Sequence, residues 1–159
     1  MDPILEILKF SAKSSPKEMA QLTSLPQSEV ESRIAEFEKN GTILGYQTLI
    51  DDEKAGNELV SALIEVKITP ERGGGFDRYA KRIAQFEQVL SCYLMSGGYD
   101  LLVLVQGRNL REVAQFVAEK LATIEGVLST STHFRLKAYK ENGVLLARED
   151  PVSRLPVSP

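Results

Sequence analysis

One histidine and one cysteine bound the chemistry available to this 159-residue chain. A lone Cys92 excludes an internal disulfide and any multi-cysteine metal site. A lone His133 excludes a two-histidine metal site and leaves no spare base for a conventional nucleophilic triad. Cys92 lies between apolar strand neighbours and reads as a small core residue. His133 shares a strand face with Arg135 and reads as a solvated or interface residue. No catalytic residue, metal or cofactor is therefore expected.

Two polar clusters suit binding better than catalysis. The first is SGGYD, which comprises Ser96, Gly97, Gly98, Tyr99 and Asp100 and runs into the apolar stretch LLVLVQ. Gly97 and Gly98 can take positive φ and leave backbone amides open. Such amides can receive a carboxylate, and Asp100 can accept from an α-ammonium group. A free amino acid carries both groups. A plain hairpin turn in which Asp100 caps its own backbone fits the same residues, and Tyr99 fits packing as well as recognition. The second cluster is Thr130, Ser131 and Thr132; it offers hydroxyls, although threonine is common on strands without any ligand.

A third stretch, LPQSEVESRIAEFEKNG (residues 25–41), has helical spacing but carries Glu29, Glu31, Glu36 and Glu38 against Arg33 and Lys39. At about 100° per residue, Val30, Ile34 and Phe37 define a buried face. Ser28, Ser32, Ala35 and Lys39 then lie opposite, with Gln27 at the start of the helix. The four glutamates flank that outer face rather than occupy it. Glu29 with Arg33, and Glu36 with Lys39, stand at spacings that allow helix-surface pairs. Two readings remain: a self-paired solvated face, or a helix presenting small neutral residues and one lysine to a DNA groove. In the second, phosphate contacts would fall to Lys17, Lys39, Lys9 and Lys13, helped by helix N-terminal amides.

The elements that position these residues can be read from periodicity. Ile4, Leu5, Leu8 and Phe10 mark a first helix behind Pro3. SSPKEMAQLTS marks a second, with Ser15 as N-cap, Pro16 at the first helical position, Glu18 closing a capping box, and Met19, Ala20 and Leu22 facing inward. The third is the acidic helix, ended by Gly41. A strand-like TILGYQTLI follows, so residues 1–50 read as a winged helix-turn-helix. Polar residues 51–60 read as a linker. Residues 61–140 then follow the order β-α-β-β-α-β of a ferredoxin-like unit. Its second helix has an apolar stripe through Leu110, Val113, Ala114, Val117, Leu121 and Ile124, and its last strand alternates at Phe134, Leu136 and Ala138. Residues 141–159, with Pro151, Pro156 and Pro159, read as an irregular tail. The fold class expected is α+β.

Composition adds limits. No apolar run approaches the roughly 20 residues of a membrane span, and the N-terminus lacks the basic start and cleavage site of a secretory signal. A cytoplasmic protein is expected. Residues 1–60 hold 11 acids and 6 bases, whereas the remainder holds 11 acids and 13 bases. The half that reads as a DNA-binding unit is thus the acidic one, opposite to the usual electrostatic footprint.

Taken in order, Val30, Arg33, Ile34, Phe37, Glu38, Gly41, Ile43, Gly45 and Tyr46, then SGGYD, then GVLSTSTHFRL, resemble the Lrp/AsnC regulators of bacteria and archaea. The resemblance runs from about Ile4 to Tyr139. It implies a DNA-binding unit joined to an amino-acid-sensing, oligomerising unit, with double-stranded DNA and a small amino-acid effector as partners. It further implies a homodimer and higher assemblies of dimers. The effector would sit near Ser96–Asp100 at a subunit contact, with Thr130, Ser131 and Thr132 supplied by a neighbouring subunit. One departure is Pro26, which stands where the family often has Ser or Thr. Two other classes share the layout: a sensing module that does not read DNA, and the sirohaem decarboxylases, for which only His133 could serve.

Overall fold

Asp2 starts the first helix, α1 (Pro3–Phe10), by accepting the Ile4 N–H at 2.8 Å. Ser15 starts α2 (Pro16–Thr23): its hydroxyl accepts the Glu18 N–H at 3.2 Å while the Glu18 carboxylate accepts the Ser15 N–H at 2.7 Å. This reciprocal box satisfies two amides that the helix itself cannot. Ser24 then adopts a left-handed conformation, φ 57°, and turns the chain into α3 (Gln27–Lys39), which Gly41 ends at φ 76°. Ile4, Met19 and Val30 are fully buried between the three helices, and Ile7, Leu8, Ala20, Leu25 and Ile34 pack around them. Phe10 and Leu22, expected on inward faces, are instead 88% and 71% exposed. Helices of eight residues offer only about two turns, and Ile4, Ile7, Leu8 and Met19 already fill the contact.

The structure, a computed structural model, describes residues 1–52, 54–70 and 75–146. Its first compact unit is Met1–Leu49 and a second begins at Ile50. The expected wing is not seen as a strand in the single chain. Residues 42–50 join no ladder among the described residues. A strand needs a partner for its backbone groups, and the first unit has no other strand. Leu44 and Tyr46 are consequently exposed.

The second unit forms in the order expected of a ferredoxin-like unit: β1 (Val60–Ile68), α4 (Asp77–Ile83), β2 (Val89–Leu94), β3 (Leu101–Gly107), α5 (Leu110–Phe116) and β4 (Val127–Phe134). The sheet order is β2-β3-β1-β4, antiparallel throughout. Ala62, Ile64, Val66 and Ile68 alternate inward on β1, opposite Leu101, Val103 and Val105 on β3. Tyr79 and Ile83 of α4, and Val113 and Phe116 of α5, cover that face. Among the described residues sixteen hydrophobic ones are buried, in two separate clusters, so each unit has a core of its own.

Three expectations change here. The stripe on α5 omits Leu110, which is exposed, and Ala114, and includes Phe116. Phe116 and Leu121 are five residues apart yet both buried, because Val117–Leu121 winds as a π-turn that shifts the helical phase. Phe116 meets Phe86 edge to face at 5.4 Å. Strand β4 stops at Phe134, leaving Leu136 97% exposed. Finally, the tail read as irregular forms a hairpin, β5 (Lys140–Glu141) with β6 (Val144–Leu145). Asn142 and Gly143 both take positive φ, the turn chemistry that favours a two-residue hairpin. Arg135 braces it, donating to Glu141 at 3.2 Å and to the Ser61 hydroxyl at 3.2 Å. The prolines of the tail lie outside the described residues.

Candidate functional site

Helix α3 presents Gln27, Ser28, Ser32, Ala35 and Lys39 to solvent, all exposed, while Val30 is fully buried and Ile34 and Phe37 are half-buried. The orientation derived from spacing is therefore the one adopted. Its glutamates are largely engaged within the unit. Glu29 faces Arg33 at 3.8 Å, and Arg33 also pairs with Asp2, the cap of α1. Glu31 accepts from the Gln27 amide at 2.7 Å, and Glu38 accepts from the Tyr46 hydroxyl at 2.9 Å. The Glu36–Lys39 pair allowed by spacing does not form among the described residues, so Lys39 keeps its charge for an outside partner. Lys17 is exposed in the first turn of α2, beside the capping box, and Lys9 and Lys13 are exposed as well.

The unit boundary also changes the charge argument. Met1–Leu49 contains 7 acids and 5 bases. Four of the acids counted earlier, Asp51, Asp52, Glu53 and Glu58, fall beyond it. The helical unit carries a balance of only −2, and Asp2, Glu18, Glu29, Glu31 and Glu38 sit beside internal partners.

In the second unit the sensor turn joins β2 to β3. Met95 N–H donates to the Asp100 carbonyl at 2.8 Å, and Asp100 N–H donates to the Val66 carbonyl at 3.0 Å. The Asp100 carboxylate accepts the Ile68 N–H at 2.7 Å, next to the irregularity in pairing between Lys67 and Ile68. Asp100 thus caps a backbone group 32 residues away rather than one in its own turn, and one carboxylate oxygen is already used. Gly97 takes positive φ, 132°, whereas Gly98 does not, which corrects the expectation for Gly98. Ser96, Gly97 and Gly98 are exposed and Tyr99 is half-buried. The amides of Gly97 and Gly98 make no backbone hydrogen bond among the described residues.

The register of β4 separates the second cluster. Thr130 and Thr132 stand opposite Val66 and Ile64 and point to the helix side, while Ser131 stands opposite Glu65 on the open face. Strand β1 lies between them and Asp100, so within one chain the two clusters are about 10 Å apart across two strand spacings. They do not form one site. His133 on the open face lies 3.4 Å from Glu65 and 3.3 Å from Ser131, and it is more than half exposed. Around it, Leu63 and Tyr93 are exposed and Leu102 and Leu104 half-buried. This uncovered apolar face follows from the period-2 alternation of β1 and β3, a signal already present in the sequence. Cys92 is half-buried, and burial pushes its thiol above the usual range, which disfavours the reactive thiolate. Among the described residues no group of three His, Cys, Asp or Glu could hold a metal ion, and no helix is long and apolar enough to cross a membrane.

The Lrp/AsnC ligand-binding domain model matches residues 61–145, which takes in the C-terminal hairpin. The uncharacterised HTH-type transcriptional regulator YugG of Bacillus subtilis is 45% identical over 98% of this chain and 95% of its own. A transcriptional regulator of Neisseria meningitidis, solved as an L-Met complex, superposes with a TM-score of 0.68 at 25% identity over 87% of this chain and 89% of that one. AsnC of E. coli shows the same fold at 19% identity, with a TM-score of 0.67 over 87% of this chain and 91% of its own. These relatives are regulators rather than enzymes, which sets aside the decarboxylase reading of His133. The chain belongs to the Lrp/AsnC family of HTH-type transcriptional regulators.

Proposed function

We propose that this regulator binds double-stranded DNA through its three-helix unit as a helix-turn-helix, and that a small amino acid bound to its second unit alters its DNA affinity or assembly. The observation that carries the first part is the outward face of α3. Ser28, Ser32, Ala35 and Lys39 are exposed together, with Gln27 exposed at the first residue of the helix, while Glu29, Glu31 and Glu38 are held by partners in the same unit. Small neutral side chains let a helix approach base edges closely, and Lys17 and Lys39 are free to meet phosphates. Few cations contribute, so each unit binds weakly and with a shallow salt response. Linking units in an oligomer raises their combined avidity. The uncovered sheet face with Leu63, Tyr93, Leu102 and Leu104 supports a homodimer, on which higher assembly can build.

The second part rests on the sensor turn, where the Gly97 and Gly98 amides and the Asp100 oxygen without a partner among the described residues offer a carboxylate and an ammonium their partners. Thr130, Ser131 and Thr132 are too far away in the same chain, and would act from a neighbouring subunit, Thr130 and Thr132 from one face of β4 or Ser131 from the other. The Neisseria relative bound to L-Met supports an amino acid as the ligand class. Binding to labelled genomic fragments tests the DNA part. Ser32→Glu places a charge on the outer face of α3 and should abolish binding. Leu110→Glu adds the same charge at an exposed position of the second unit and should leave binding within about twofold. Equal losses from both would show that α3 is not the reading element.

A further inference from the structure

Gln27 and Glu31 form a pair whose geometry has a consequence for sequence preference. Gln27 is the first residue of α3, the end of a reading helix that reaches base edges. Its amide nitrogen donates to the Glu31 carboxylate at 2.7 Å, and both residues are exposed. A carboxylate only accepts, so the contact fixes which end of the Gln27 amide is which: the NH2 faces Glu31 and the carbonyl oxygen points away. Left over are one N–H donor and one carbonyl acceptor in a single plane. Adenine alone presents a matching edge in the major groove, an N7 acceptor beside an N6 donor. Guanine offers two acceptors, which would face the Gln27 oxygen and the Glu31 charge together. Thymine offers an acceptor and a methyl, and cytosine a single donor.

We infer that Gln27, held in orientation by Glu31, is a specificity-determining residue that selects adenine at one position of each half-site. Glu31 is a positioning residue: its charge braces the amide from the flank of the helix and disfavours guanine by repulsion. The acidic side chain thereby trades general affinity for discrimination. The inference rests on the DNA-reading function proposed above.

The test is selection from a randomised duplex library with the full-length protein, followed by affinity measurements on the selected duplex. The parent should enrich adenine at one position per half-site. Gln27→Ala should flatten the preference there, retain it elsewhere, and weaken binding to the selected duplex about tenfold. Glu31→Leu should blur adenine against guanine while binding to unrelated duplex stays equal or strengthens. Glu31→Gln keeps an acceptor oxygen for the Gln27 amide and should restore the adenine preference. Retention of the full adenine preference by Gln27→Ala, or a parent preference for guanine at that position, would overturn this inference alone. Enrichment of no sequence by the parent would sink the DNA-reading function and the inference together.

Discussion

Substitution of Asp100 separates the two roles its carboxylate can play. In the structure it accepts the N–H of Ile68, a residue only 2% exposed, at 2.7 Å. Asp100→Ala leaves that buried donor without a partner, which costs about 1–3 kcal/mol. Asp100→Asn keeps an oxygen in the same place and replaces a charge-assisted bond with a neutral one of about half the strength, a loss of roughly 1 kcal/mol or less. Effector binding should follow a different order. An ammonium group needs the negative charge, so both variants should bind the amino acid at least about tenfold more weakly, or ~1.4 kcal/mol. Urea denaturation followed by far-UV circular dichroism suits a chain without tryptophan, at one fixed protein concentration because assembly contributes to stability. Calorimetric titration with the twenty amino acids supplies the affinities. The expected pattern is Ala well below Asn in stability, and the two alike in affinity. Parent-like affinity in Asp100→Asn would place the effector elsewhere. Equal stability of the two variants would show that the bond to Ile68 contributes little.

Two further outcomes concern the frame around the site. Gly126 has φ 93°, and a Cβ there would lie 2.3 Å from the hydroxyl oxygen of buried Tyr79; Gly126→Ala should therefore cost roughly 3 kcal/mol from backbone strain and overlap together, and a loss below about 1 kcal/mol would contradict that close approach. The Glu18 carboxyl is held below the usual range, chiefly by the Ser15 N–H and then by the Ser15 hydroxyl. A lowered folded-state pKa gives stability that is present at neutral pH and lost as pH falls through that lowered value. Glu18→Gln should thus be less stable than the parent in urea at pH 7, and the difference should close in acid, below the ordinary 4.5; a difference that stays constant would mean the capping box does not act through its charge.

Much of the frame was legible because it is written in short-range signals. The Ser15–Glu18 box, the Gly41 stop and the alternation of β1 all depend on residues within a few positions of each other. The orientation of α3 was legible for the same reason: three apolar residues at helical spacing fix its outer face. What escaped depends on register or on a break in period. Counting at 3.6 residues per turn misplaced Ala114 and left out Phe116, because the π-turn after it lets Leu121 come round to the core. No local pattern could reveal that Asp100 reaches Ile68, since the contact joins two strands through the β1–β3 ladder. Similarly, Thr130, Ser131 and Thr132 are adjacent in sequence, and the pleat alone sends Ser131 to the opposite face. The hairpin at Lys140–Leu145 differs: its Asn142-Gly143 turn signal is local, while the prolines that follow favour an irregular tail. The strand expected at 42–50 shows the converse, a strand-like composition without a partner strand in its own unit.

Under the proposed function, one chain couples an amino acid to DNA. The direct measurement is the apparent affinity for a labelled genomic duplex by fluorescence anisotropy, repeated with each of the twenty amino acids at fixed salt and protein concentration. Coupling between sites is worth about fivefold or more in affinity in typical cases. At least one amino acid should shift DNA affinity by that much, and DNA should shift the affinity for the same amino acid by an equal factor. Tight DNA binding that is indifferent to all twenty would contradict that coupling.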